Sequence, residues 1–161
     1  MKKTAAYWIE KLGLEKHPEG GWFKEIYRAD NLVQTSFGQR SAATSIYYLL
    51  GGKDFSALHR IKSDEIWHYY AGSSAIEILW IEEARLKSAR VGCNIEAGES
   101  FQVIVPENCW FAARLVNNEG FALVGCTVSP GFDFNDFELA DEKVAEQFSE
   151  FKSDLLPLIG K

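Results

Sequence analysis

The stretch His59-Arg-Ile-Lys-Ser-Asp-Glu65-Ile-Trp-His68-Tyr-Tyr-Ala-Gly72 holds two of the chain's three histidines, with a carboxylate between them. Imidazole and carboxylate groups together can ligate a divalent metal or pass protons near neutral pH. Spacing narrows the choice. Side chains alternate faces along a regular strand, so Glu65, Trp67 and Tyr69 share one face and Ile66, His68 and Tyr70 the other. His68 is therefore expected to point away, leaving His59 and Glu65 as the candidate chemical pair.

The elements that must hold this pair are short strands. Thr4 caps a helix with Ala5, Trp8, Ile9 and Leu12 at helical spacing, and Gly13 stops it. His17-Pro-Glu-Gly-Gly21 is a turn, and Trp22 to Arg28 a strand with Phe23, Glu25 and Tyr27 on one face and Arg28 on the other. Asn31 to Gln39 is polar and predicts a loop. β-prone runs then recur with Gly, Asn or Pro turns between them: Ser41–Leu50, Ser56–Ile61, Glu65–Ala71, Ala75–Ile81, Leu86–Val91, Phe101–Val105, Trp110–Val116 and Phe121–Val128. Gly125 inside the last run predicts a bulge or a close backbone approach. Asp141 caps a final helix with Val144, Phe148, Phe151 and Leu155 on one stripe, and Pro157 stops it. This pattern predicts an all-β sandwich or barrel with helical additions at both ends.

Composition limits the function. The 161 residues are most simply one domain, and 47% hydrophobic content supplies a core without staples. Seventeen Lys plus Arg against 23 Asp plus Glu give a net charge of -6, which argues against nucleic acid and anionic membrane surfaces as partners. Cys93, Cys109 and Cys126 are odd in number without a C-x-x-C, so they read as buried thiols in a reducing, cytoplasmic compartment. Charged residues from Glu10 onward interrupt any signal-peptide core, and no run is long enough for a membrane span.

Several stretches resemble the cupin motifs. His59, Glu65 and Gly72 match the first histidine, the glutamate and the closing glycine of the first motif, while Ile61 stands at the second histidine. Gly98 and Pro106 resemble the start of the second motif. Asn108 takes a glycine place, which suits its tolerance of left-handed backbone, and Phe111 replaces the histidine. A closer resemblance is to the cupin group DUF985 (Cupin_5). It is carried by His17-Pro-Glu-Gly-Gly-Trp-Phe, Ser45-Ile-Tyr-Tyr-Leu-Leu50, His59-Arg-Ile to Asp64-Glu-Ile-Trp, Leu123-Val-Gly-Cys126, and Val128-Ser-Pro-Gly-Phe132 to Asp136-Phe-Glu-Leu139. The resemblance implies a double-stranded β-helix, a jelly-roll barrel of the RmlC type, with short N- and C-terminal helices. It also implies a homodimer or higher homo-oligomer, in which Trp22 to Arg28 crosses to the neighbouring subunit. It implies no known reaction.

With Ile61 and Phe111 in two ligand places, no cofactor is expected, and His59 with Glu65 would hold a divalent metal weakly at most. The pair suits proton abstraction beside a carbonyl, with His59 as base and Glu65, its pKa raised by desolvation, as partner. Tyr47, Ile61, Trp67, Tyr69 and Phe111 are the expected pocket wall for a small polar molecule, and Phe132 to Phe137 a cover for its mouth. The expected function is that of a small-molecule-binding cupin of unknown reaction, with a metal-independent epimerase or isomerase acting on a sugar or sugar-nucleotide-like compound as the catalytic reading. The alternatives are a non-catalytic ligand-binding cupin, in which His59 and Glu65 satisfy each other, and a metal-dependent cupin enzyme.

Overall fold

The computed structural model describes residues 3–160. Helix α1 (Ala5–Leu12) is capped by the Thr4 hydroxyl, which accepts from the Tyr7 N–H at 3.3 Å, and it ends at Gly13 in the left-handed region, φ 63°. Strands β1 (Glu15–Lys16) and β2 (Trp22–Arg28) follow. The polar stretch predicted as a loop instead forms a hairpin of β3 (Leu32–Thr35) and β4 (Gly38–Ser41). Gly38 takes φ 115° at its tip, where the Thr35 hydroxyl donates to the Gly38 carbonyl. Local turn chemistry and cross-strand pairing outweigh the polar composition there.

The remaining strands are β5 (Thr44–Gly51), β6 (Phe55–Arg60), β7 (Asp64–Gly72), β8 (Ile76–Glu82), β9 (Arg85–Val91), β10 (Glu99–Ser100), β11 (Gln102–Val105), β12 (Trp110–Leu115), β13 (Phe121–Ser129) and β14 (Glu138–Leu139). Together with β1 and β2 they form two six-stranded sheets, ordered β1-β2-β5-β13-β7-β11 and β10-β9-β8-β12-β6-β14. From β5 to β8 and again from β11 to β14 successive strands alternate between the sheets, as in a jelly-roll barrel. Between the sheets lies the main core, with Tyr48, Trp67, Ile78, Phe111 and Val124 almost fully buried. Each such side chain contributes roughly 1.5–3 kcal/mol by leaving water.

Helix α1 covers the outer face of the first sheet at β5 and β13 through contacts with Leu49, Tyr47 and Leu123. The C-terminal segment packs Val144, Ala145 and Leu155 on Leu58, Leu79 and Trp110 of the second sheet. The predicted single C-terminal helix is broken into α2 (Glu142–Gln147) and α3 (Lys152–Leu155), separated by a 3-10 turn. Following the curved sheet surface keeps Phe148 and Phe151 in contact at the expense of helical continuity. The last α-helix ends at Leu155, as Pro157 predicted, and Pro157 itself lies in the first turn of a final 3-10 segment, where its missing N–H costs nothing.

Other local expectations meet their geometry. Asn108 has φ 61° and its N–H donates to the Ile61 carbonyl at 2.8 Å. Gly125 is a close approach: a Cβ there would collide with the Tyr70 hydroxyl. All three cysteines are free, but only Cys126 is buried, with Cys93 exposed. Among the described residues no helix is long and apolar enough to cross a membrane.

Candidate functional site

Strands β6 and β7 turn His59 and Glu65 inward onto a cavity of about 80 Å³, room for roughly five water molecules. Ile61 lines it beside them, and Cys126 and Val128 on β13 complete that wall. Two further groups reach it from outside the barrel strands: His17 and Glu19, both on the turn before β2. His59 Nε2 lies 3.0 Å from Glu19 Oε2, and both side chains are more than nine-tenths buried. The direct partner of His59 is therefore Glu19. Glu65 acts on His59 through charge alone, which corrects the expected direct pairing.

The turn that presents Glu19 is built for it. His17 N–H donates to the Gly21 carbonyl and Gly20 N–H to the His17 carbonyl. Gly20 and Gly21 both have positive φ, 109° and 73°. A Cβ on Gly20 would collide with the Phe55 carbonyl oxygen. Gly20→Ala is thus expected to cost roughly 3 kcal/mol, seen as a lowered urea midpoint, and to loosen the Glu19–His59 contact.

Protonation states follow from the hydrogen bonds. His59 Nδ1 lies 2.6 Å from the Ala57 carbonyl, which only accepts, so Nδ1 carries a proton. Burial alone would lower the His59 pKa, but the charge and hydrogen bond of Glu19 outweigh it and the net direction is up. Burial likewise favours the neutral form of Glu19, and His59 overcomes it, so Glu19 is held below the usual carboxylate range. The pair is imidazolium and carboxylate. With both ring nitrogens donating, His59 is a poor base in this state. Glu65 differs. Burial first, then the Glu19 charge, push its pKa up to about 7, against the opposing effects of His59 and Cys126. Glu65 is the group poised to exchange a proton near neutrality.

His17 has the opposite tautomer logic. Its Nδ1 accepts from the Glu19 backbone N–H at 3.1 Å, so the ring is neutral and the proton is on Nε2. The 3.8 Å separation of the same Nδ1 from Glu19 Oε1 is therefore not an ion pair. Burial keeps the His17 pKa lowered.

A bulge re-aims the N-terminal strand. Phe23 pairs with Tyr48, Glu25 with Ile46 and Arg28 with Thr44, and Ile26 is the extra residue. Arg28, predicted on the opposite face from Phe23 and Glu25, consequently joins them on the cavity. Its Nε and Nη2 are held by Glu25 at 3.0 and 2.8 Å, and its Nη1 donates to the Phe132 carbonyl at 3.0 Å. Phe132 and Phe134 line the mouth. Phe137 packs on the His59 ring, 5.3 Å between centroids.

The residues expected to form the pocket separate into two groups. His59, Ile61 and Glu65 meet at the cavity, and Phe111 backs His59 with ring centroids 4.1 Å apart. Tyr47 does not join them: it faces outward under α1, edge-on to Tyr70. Its strand neighbour Tyr48 takes the inner face instead. Trp67 is sealed in the core against Tyr48, and Tyr69 lies toward Cys93, its pKa raised to about 12 by burial first and then by Cys93. Both point inward but away from the cavity end of the barrel. His68 faces outward as expected, 3.2 Å from the Thr127 hydroxyl. Sequence reading missed His17, Glu19 and Cys126. The available signal was the pairing of His17 and Glu19 with two glycines in one short turn.

The donor set does not fit the three-histidine, one-glutamate metal site of metal-bearing barrels of this kind. Ile61 and Phe111 offer no donor atoms, and both nitrogens of His59 are committed to Ala57 and Glu19. Among the described residues no group of three or more His, Cys, Asp or Glu is arranged to hold a metal ion.

Comparison with known proteins agrees with this architecture. A family model described as Cupin superfamily (DUF985) matches residues 6–140. A hypothetical protein from Leishmania major superposes with a TM-score of 0.92 at 31% identity, covering 98% of this chain and 99% of that one. The uncharacterized protein YML079W of Saccharomyces cerevisiae is 31% identical, over 76% of this chain and 68% of its own. A cupin 2 conserved barrel domain protein from Rhodopseudomonas palustris is only 12% identical. It shares the fold alone, with a TM-score of 0.60 over 91% of this chain and 87% of that one.

Proposed function

This chain belongs to the Cupin superfamily (DUF985), and from that premise we propose that it binds a small polar molecule in its barrel and moves a proton on it without a metal. The observation that carries the reading is a carboxyl, Glu65, only 8% exposed, beside a charged His59–Glu19 pair on one enclosed cavity. In this reading Glu65 as carboxylate removes a proton from a carbon next to a carbonyl. The C–H electron pair moves into the carbon–carbon bond and the carbonyl electrons go to oxygen. Proton transfer leaves Glu65 neutral, and the Nε2–H of His17, on the same cavity, donates to the enolate oxygen that forms. Return of the proton to the other face gives an epimer; return to the neighbouring carbon, with that carbon's hydroxyl proton passing to the enolate oxygen, gives an isomer. A sugar, or the sugar part of a larger compound extending past Phe132 and Phe134, has the required C–H group. A second reading, non-catalytic binding, is favoured by the commitment of both His59 nitrogens to protein partners.

Proton NMR in D2O with a panel of aldoses, ketoses and related hydroxycarbonyls tests the first reading. Wild type is expected to wash out the C–H signal beside the carbonyl of one panel member, and Glu65→Gln to slow that exchange by about a thousandfold. Saturable binding without exchange across the panel would leave the non-catalytic reading.

The reading also takes the protein as a homo-oligomer. Tyr27, Tyr70 and Ile104, exposed on the first sheet, support it.

A further inference from the structure

The cavity's polar inventory is unbalanced. Its lining contains two cations, His59 and Arg28, and both are occupied: His59 by Glu19, Arg28 by Glu25 and the Phe132 carbonyl. Three carboxyl groups, Glu19, Glu25 and Glu65, line the same space. A phosphate or carboxylate entering it would meet no free positive charge and would face like charges in a poorly solvated site. Hydroxyl groups, which donate, find acceptors in the carboxylates. A ligand oxygen that only accepts needs an uncommitted donor. His17 supplies it. Its Nδ1 is tied to the Glu19 N–H, so Nε2 bears the proton. Among the described residues the sealed side-chain polar atoms without partners are Trp8 Nε1, Ser56 Oγ and Trp67 Nε1. Among the described residues His17 Nε2 donates to no protein acceptor, and the ring that carries it lines the cavity.

We propose that the cavity selects a small uncharged hydroxycarbonyl compound whose carbonyl oxygen accepts from His17 Nε2–H and whose hydroxyl donates to a cavity carboxylate. His17 is then the specificity-determining donor. The inference rests on the proton-transfer reading above and narrows its ligand: the volume admits a unit of about three or four carbons, and charged substituents stay outside the mouth.

The test uses 15N-labelled protein and two probes, dihydroxyacetone and its phosphate ester. Dihydroxyacetone is expected to shift the His17 Nε2 resonance saturably, and the ester to bind about tenfold more weakly or worse. His17→Phe, which keeps a ring against Phe23 but has no donor, should weaken dihydroxyacetone about tenfold, and His17→Gln should restore part of it. Glu65→Gln should keep binding while losing C–H exchange. Equal or tighter binding of the ester, an unmoved His17 resonance, or unchanged affinity in His17→Phe overturns the proposal. Selective binding of dihydroxyacetone without deuterium exchange upholds it and removes only the proton-transfer reading.

Discussion

Glu19→Ala is expected to destabilise the protein by about 3–5 kcal/mol, because it leaves a buried imidazolium without its counter-ion. For a chain of this length that is a melting temperature lower by roughly 10 °C. The cost depends on pH in a defined sense. The His59 pKa is raised above its ordinary 6.5, so its contribution is complete below 6.5 and is lost as pH climbs through the raised value. The Glu19 pKa is lowered below its ordinary 4.5, so its contribution is complete above 4.5 and is lost as pH falls through the lowered value. The gap between wild type and Glu19→Ala should therefore be widest between pH 4.5 and 6.5. Histidine NMR titration gives an independent check. Without Glu19, burial is opposed only by Glu65 and the Ala57 carbonyl, and the His59 pKa should fall. A His59 titration unchanged in the variant would rule out the ion pair as its controlling interaction.

Glu65→Gln is expected to act in the opposite direction and stabilise the fold at alkaline pH. A carboxyl with a native pKa of about 7 against an ordinary 4.5 resists ionisation in the folded state. Wild type thus loses stability as pH rises from 4.5 through 7, by roughly 3 kcal/mol at most. Glutamine is neutral throughout and has no such loss. Urea unfolding at pH 4.5 and pH 8 should show similar stabilities at the lower value and a more stable variant at the higher. Parallel stability curves for the two proteins across that range would place the Glu65 pKa near its ordinary value and remove its claim to proton transfer at neutrality. A gain in stability on removing a site carboxyl is the signature of a group retained at a cost to the fold.

What was legible in the sequence was local. Alternation put Ile61 beside His59 and turned His68 outward, because strand parity depends only on neighbours along the chain, while Phe111 came from its place in the second cupin motif. Asn108 announced a left-handed backbone through its own side-chain chemistry. The same parity rule failed for Arg28, since one bulged residue, Ile26, reverses every face after it. Tyr47 was misplaced for another reason: two adjacent tyrosines leave the inward choice to the pairing partners, and Tyr48 takes it. The identity of the carboxylate on His59 was out of reach. Glu19 and Glu65 are both compatible with a barrel interior, and only closure of the turn at Gly20 and Gly21 over β6 decides which one touches the ring. The family resemblance marked that turn as distinctive without assigning it chemistry.

Arg40 ties the β3–β4 hairpin to the segment at the cavity mouth. Its Nε and Nη2 each lie 2.7 Å from a different oxygen of Asp136, a residue only 7% exposed, just after Phe132 and Phe134. Phe37 at the hairpin tip packs under the Arg40 guanidinium and near the Lys62 amine. The rim therefore has a handle. The mouth segment cannot swing away from the barrel unless both charge-assisted bonds break or the hairpin travels with it. Arg28 and the Thr44 hydroxyl hold the same segment to β2 and β5, so hairpin, strands and entrance are bolted together at the door.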